Sequence, residues 1–380
     1  MKKVVIIGAN DFQNPIILKA KECGYETHVF AWKDGSIGEQ TADYFYPISI
    51  VEKEKILDKC KVIKPDAVIS IGSDLAMHTV NFLAKELGLP GNSLECTEKS
   101  TNKYEMRKAF AKAGIPVPKF TEISQDNSID LDGFSFPLIV KPTDRSGSRA
   151  ITKIYKKEEL KDAVESAISN SFEKKAIIEE YIEGEEYSCE CITYKGEHNF
   201  LAITKKYTTG APHFIETAHV EPSDLSKEKE EEVKKVIFEA LDALEVTNGA
   251  SHSEFKIMPN GEIRIIEIGA RMGGDCIGSD LVKISTGYDF VKMTLDVSLG
   301  KKPEFEKVSE PKIAAIKFVF GQKELDELEK IKQDMPNILY RTSNIEEINT
   351  HEVTDSSSRF GFFILNAENK DQIRWLLDGE

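Results

Sequence analysis

Glu254 and Glu267 stand in the stretch SEFKIMPNGEIRIIEIGARMGG, residues 253–274, and Arg271 follows the second of them. Asn260-Gly261 is a strong hairpin signal, because a two-residue type I′ turn needs positive φ at both central positions and Asn-Gly tolerates it. A hairpin closed there sets Glu254 directly opposite Glu267. Facing Cβ atoms lie roughly 4.5–5.5 Å apart, and like charges so placed repel. Something positive belongs between them. A hard divalent cation fits, since Mg²⁺ prefers carboxylate and phosphate oxygens; the alternative is a partly exposed sheet face on which Lys256 softens the repulsion.

Four other stretches carry chemistry-bearing residues. In PLIVKPTDRSGSRA an apolar strand delivers Lys141 to its end, and a loop follows with Gly147 between Ser146 and Ser148 and between Arg145 and Arg149. Backbone N–H groups of such a loop, with cations near, cradle phosphates; a surface turn has the same composition. IIEEYIEGEEYS places acids beside a strand-like run, where a carboxylate can accept from an amino group or a ribose hydroxyl, or stand as a solvated acidic turn. PHFIETAHVEP spaces Glu216 and His219 three apart, as a site or as a polar loop. VVIIGAN ends a first strand but lacks GxGxxG, which disfavours a dinucleotide-dependent dehydrogenase.

The elements that position these residues follow from periodicity. Through the first hundred residues, KVVIIGAN, ETHVFAW and DAVISIG alternate with helical patterns from Pro15, around 52–63 and around 75–88, which implies a parallel α/β sheet. TEKSTNKYEMRKAFAKAGIPVP reads as a helix ended by Gly114 and its following prolines. From Pro137 to about Tyr194 come strands, the Gly/Ser loop and a helix; then a charged helix opened by Ser226, the hairpin, and a helix near 278–299. The last seventy residues read as a small mixed domain with strands KIAAIKFVF and FGFFILNA.

Length and composition set outer bounds. The 380 residues suffice for two or three domains. A net charge of −15 argues against a general nucleic-acid or anionic-membrane binder. The apolar run after Met1-Lys2-Lys3 is too short for a signal sequence or a membrane span, so a cytoplasmic protein is expected. Six cysteines without a CxxC pair are expected as buried free thiols.

In this order the motifs resemble the ATP-grasp superfamily over essentially the whole chain. The resemblance implies a mixed α/β fold: a parallel α/β domain at 1–100, a nucleotide-binding region at 101–300 with a lid at about 119–182, and a small C-terminal domain at 301–380. It implies ATP and Mg²⁺ (or Mn²⁺). Lys103 and Lys141 would contact phosphates, the loop holding Ser146, Gly147 and Ser148 would close over them, and Glu179 would meet the adenine amino group. Backbone groups of Glu180 and Ile182 would read the purine edge, Glu186 would hold the ribose, Glu254 and Glu267 the metal, and Arg271 the transferring phosphoryl. Many members carry asparagine two residues after the second metal glutamate; Gly269 stands there, so one side-chain ligand is missing, and a water or His252, opposite in the hairpin, is left to fill the gap. EIGAR with glycine, and the Glu216–His219 pair, are similar to bacterial L-amino acid ligases. The expected activity is ATP-dependent joining of a small carboxylate to an amine through an acyl phosphate, with a homodimer allowed. A carboxyphosphate-using or purine-pathway ligase and a non-catalytic nucleotide-binding regulator are the competing readings.

Overall fold

The computed structural model describes residues 1–124 and 131–377. Residues 125–130 of the expected lid and 378–380 of the expected C-terminal domain lie outside them. The first hundred residues fold as their alternation implies. Strands β1 (Lys3–Ile7), β2 (Glu26–Phe30), β3 (Tyr44–Tyr46) and β4 (Ala67–Ile69) form a parallel sheet in the order β3-β2-β1-β4, with helices Asn14–Glu22 and Lys53–Ile63 between strands and Asp74–Leu87 after β4. The strand order reverses at β1, so a crevice opens between the ends of β1 and β4, where open α/β sheets take ligands.

The segment expected as one helix is two, Leu94–Thr101 and Lys103–Lys112. Asn102 has extended backbone at the break, and its Oδ1 accepts from the N–H groups of Tyr104 (3.0 Å) and Glu105 (3.3 Å). An asparagine side chain satisfies a helix N-terminus better than it continues a helix. The break turns Lys103 into the cleft.

The lid carries β5 (Phe120–Ser124), β6 (Leu138–Pro142), β7 (Thr152–Ile154) and β8 (Lys175–Glu180), antiparallel in the order β5-β8-β6-β7, with helix Leu160–Asn170 on one face. Next come β9 (Glu185–Tyr194), β10 (Glu197–Thr208), β11 (Glu216–Glu221), β12 (Asn248–Ile257), β13 (Ile263–Gly269), β14 (Ile313–Val319), β15 (Leu339–Thr342) and β16 (Gly361–Ala367). These make one eight-stranded sheet in the order β13-β12-β9-β10-β11-β14-β16-β15, so the strands of the last eighty residues are bonded onto β11. Val233, Ile237 and Leu241 of helix Lys227–Ala243 pack on Tyr187 and Phe255 beneath this sheet.

The opening hairpin pairs Glu254 with Glu267 and His252 with Gly269, as expected, but by a different route. Pro259 has no N–H to give to a ladder, so a two-residue turn is disfavoured. The chain makes a three-residue loop instead: the Gly261 N–H donates to the Met258 carbonyl (2.8 Å), and only Gly261 has positive φ, +85°. That shifts the register by one. A bulge at Ile266 shifts it back, because Ile265 faces Phe255 and Glu267 faces Glu254.

The helix expected near 278–299 is interrupted. A π-turn at Ile277–Leu281 leads to Val282–Thr286, then Gly287 with φ +81°, then Phe290–Ser298 capped by Asp289. A Cβ on Gly287 would lie 2.3 Å from the Ser309 carbonyl oxygen, so only glycine makes this break. All six cysteines are free, Cys23 half-buried and the others buried. No helix among the described residues is long and apolar enough to cross a membrane.

Glu221 at the end of β11 is fully buried and accepts from the hydroxyls of Thr204 (2.5 Å) and Ser285. Burial outweighs these bonds and pushes its carboxyl up to about 7. A raised carboxyl pKa means the folded chain binds the proton more tightly than the unfolded one, so stability is present at low pH and is lost as pH rises from about 4.5 to 7. Glu221→Gln is expected to be more stable than the parent at pH 8, by up to about 3 kcal/mol, and equal to it at pH 4.5. Urea unfolding of both chains across that range checks the sign.

Candidate active site

A cleft between lid and central sheet gathers residues from seven strands, the start of helix Lys103–Lys112 and the 145–149 loop. Lys103, Lys141, Ser146, Gly147, Ser148, Glu179, Glu180, Ile182, Glu186, Glu254, Glu267 and Arg271 all line it. Of the sequence candidates, Glu216 lines both this cleft and an adjoining hollow, and His219 lines the hollow alone. The hollow also takes in the crevice at the ends of β1 and β4, including Gly8, Asn10, Ser73 and Asp74.

The two opposed glutamates have separate counter-charges. Lys206 on β10 pairs with Glu254, and Lys103 lies 2.9 Å from Glu267 while donating also to the Arg145 carbonyl (2.6 Å). Lys206 is nearly fully buried and also faces Glu186 (3.4 Å) and Glu216 (3.8 Å). Burial alone would lower its pKa; Glu254, Glu186 and Glu216 together raise it, so it stays an ammonium. Lys256 points elsewhere, toward Glu186 (3.8 Å) and the Ile182 carbonyl (3.4 Å), and does not separate the opposed pair.

Glu179 is held at both ends. Arg107 donates to Oε2 at 2.9 Å and Lys141 pairs with Oε1. Burial pushes this carboxyl up, but Arg107 and Lys141 prevail and hold it at about 2. An ionised carboxylate keeps lone pairs beyond these two contacts, which an amino group can use. Arg107 is itself fully buried, with Nη2 donating to the Ile266 carbonyl (2.7 Å) and Nη1 without a partner among the described residues. The Glu180 N–H is donated to the Lys119 carbonyl (2.9 Å), so reading of a purine edge by this residue does not come from its N–H.

The loop over the cleft has Gly147 at φ +73° and Ser148 at φ +57°, and Ser148 Oγ donates to the Phe214 carbonyl (3.0 Å). The Arg145 guanidinium lies over the Phe172 ring at 4.3 Å, and Arg149 faces Asp355 at 3.8 Å.

Gly269 has a steric reason. Asp74, at the start of helix Asp74–Leu87, receives Nε and Nη2 of Arg271 at 2.8 Å each. A Cβ on residue 269 would lie 2.9 Å from Asp74 Oδ1 and 3.1 Å from Arg271 Nε, so this ion pair fills the space of the expected asparagine. His252 is engaged with carboxylates: its Nδ1 is 2.5 Å from Glu190 and its Nε2 3.4 Å from Glu254, and although burial lowers its pKa, the two carboxylates raise it to about 9. Among the described residues no three His, Cys, Asp or Glu side chains are set to hold a metal. Glu254 and Glu267 offer hard oxygen donors that suit Mg²⁺ together with phosphate oxygens.

Lys206, Arg107, Asp74, Asp275 and Arg359 escape a reading of the sequence. Only Lys206 leaves a trace there, as a charge inside the strand run FLAITKKYT.

Residues 134–280 match the family described as ATP-grasp domain. Alanine–anticapsin ligase of Bacillus amyloliquefaciens is 29% identical over 311 residues, 72% of this chain and 65% of that protein, so the chain spans less than two thirds of that relative's length. The fold is that of the L-amino acid ligase of Bacillus licheniformis, with a TM-score of 0.83 at 23% identity over 100% of this chain and 96% of the other. Phosphoribosylglycinamide synthetase of Anaerococcus prevotii has the same fold, with a TM-score of 0.78 at 22% identity over 99% and 97%.

The packing at Gly269 predicts a coupling. Gly269→Asn is expected to destabilise the chain by about 1–3 kcal/mol through overpacking, and the loss is expected to shrink when Asp74 is already alanine. A double-mutant cycle of Gly269→Asn and Asp74→Ala, read by urea unfolding, measures it.

Proposed function

We propose, from the premise that this chain has the ATP-grasp fold and an ATP-grasp domain at residues 134–280, that it is an ATP-dependent carboxylate–amine ligase acting on amino acids. The observation that carries this reading is the joining of two spaces. A cleft with Lys103, Lys141, Arg271 and the opposed Glu254 and Glu267 suits a nucleoside triphosphate, and it opens at Glu216 into a hollow with His219 that suits small polar substrates.

In this reading Glu179 accepts from the adenine amino group, Glu186 holds the ribose hydroxyls, and Lys103, Lys141 and the Ser146–Ser148 loop hold phosphates. Glu254 and Glu267 hold Mg²⁺ (or Mn²⁺), which supplies charge neutralisation on the phosphate oxygens. The substrate carboxylate attacks the γ-phosphorus, ADP leaves, and Arg271 meets the charge that develops on the transferring group. An amine then attacks the acyl carbon of the resulting acyl phosphate, and phosphate departs. Phosphoryl transfer asks a protein for positioning and charge, and the cleft offers cations and carboxylates for both. Closure of the loop over Gly147 keeps water from the acyl phosphate. Glu216 and His219 lie on the acceptor side and orient the amine.

ADP release, followed by product mass, across pairs of amino acids and simple carboxylates tests the reading. ADP release that needs Mg²⁺, a carboxylate and an amine supports it; nucleotide binding without turnover on any pair would leave a regulator instead. Glu267→Gln is expected to lower Mg²⁺-dependent turnover at least a hundredfold while the melting transition remains, and near-wild-type turnover would remove Glu267 from the metal site.

A further inference from the structure

His219 is fully buried, yet neither ring nitrogen has a hydrogen-bonded partner among the described residues. Unpaired buried polar atoms are costly in a folded chain and mark places where a ligand completes the bonding. Its Nε2 faces Asp275 Oδ2 at 3.5 Å, and its ring meets Phe318 edge-on with centroids 5.5 Å apart. Asp275 is fixed in turn by Arg359, whose Nη2 and Nη1 reach its two oxygens at 2.5 and 3.0 Å. Arg359 Nε donates to the Ser356 carbonyl (2.7 Å), its guanidinium covers Phe318 at 3.6 Å, and it is itself buried. Arg359 Nη1 also reaches the Glu216 carbonyl at 3.3 Å, so this arginine ties Asp275 to the strand that carries His219.

The same segment touches the neighbouring candidate. Ser356 Oγ donates to Glu216 at 2.5 Å. Residues 355–359 therefore form a strap from the C-terminal part of the chain along the acceptor hollow, tied to Glu216 at one point and to Asp275 at another. Asp275 adopts φ +51° just after Gly273-Gly274, a conformation a non-glycine residue keeps only when its surroundings impose it.

We propose, resting on the ligase reading, that Asp275 and Arg359 are positioning residues that fix His219 with its Nε2–H toward Asp275 and its Nδ1 lone pair toward the acceptor, so that His219 takes the proton that makes the amine a nucleophile. The step balances as follows. The ammonium gives one proton to Nδ1, the freed lone pair forms the C–N bond, and the C–O bond to phosphorus breaks with its electron pair on the leaving phosphate. That phosphate takes the second N–H proton. The charged groups around the ring are Asp275, Lys206 from β10 and Glu216 on its own strand, with Arg359 bound to Asp275. Burial keeps the ring neutral against the pull of Asp275, as a proton acceptor requires.

The test compares Asp275→Asn with the wild-type full chain; asparagine tolerates positive φ, so the turn is kept. Product is measured with an amino acid acceptor, which must lose a proton, and with hydroxylamine, which is already neutral at pH 7. The amide-to-hydroxamate ratio is expected to fall roughly tenfold to a hundredfold, and Asp275→Glu, which keeps the charge, is expected to restore most of it. Independently of turnover, long-range ¹H–¹⁵N spectra of the histidine rings, with His219 assigned by comparison with His219→Gln, are expected to show Nε2–H in the wild type and a different proton distribution in Asp275→Asn. Equal losses with both acceptors, or an unchanged ring spectrum, would overturn the proposal. No ADP release by the wild type on any pair would instead overturn the ligase reading, and the ring spectra would still decide the orientation of His219.

Discussion

One buried ammonium, that of Lys206, faces three carboxylates, Glu254, Glu186 and Glu216, and the rest of the site is arranged around that fact. Charge is poorly solvated inside a protein, and carboxylates gathered this closely repel one another unless a positive group stands among them. Lys103 at Glu267, Arg107 and Lys141 at Glu179, and Arg271 at Asp74 repeat the device. In each pair the positive partner comes from a different element than the carboxylate, so the charges can balance only when lid, central sheet and N-terminal sheet are assembled.

That requirement links the site to the architecture. Asp74 from the first hundred residues meets Arg271 just beyond β13, and Arg359 and Arg341 from the last eighty residues grip Asp275 and Asp280 in the turn that follows. The segment 269–281 is thus held from both ends of the chain. It is also where the backbone is least ordinary, with positive φ at Asp275 and Cys276 and a π-turn after them. Backbone of that kind persists where the surroundings over-determine it.

The same balance explains the departure at Gly269. His252, paired with Glu190, lies beside Glu254, and the Asp74–Arg271 pair occupies the space that a longer side chain at 269 would need.

The sequence alone determined the alternating N-terminal sheet, the facing of Glu254 and Glu267, and the ordered motifs of the ATP-grasp fold, because periodicity and turn chemistry act over a few residues. Even there the path differed. Pro259 forced a longer loop, and only the bulge at Ile266 brought the glutamates back into register. The tertiary structure alone decided which cations meet which carboxylates. Lys206 and Glu254 are 48 residues apart, Arg107 and Glu179 72 apart, and Asp74 and Arg271 197 apart. No local pattern encodes such pairs; they arise when folding brings charges from distant elements within reach of one another.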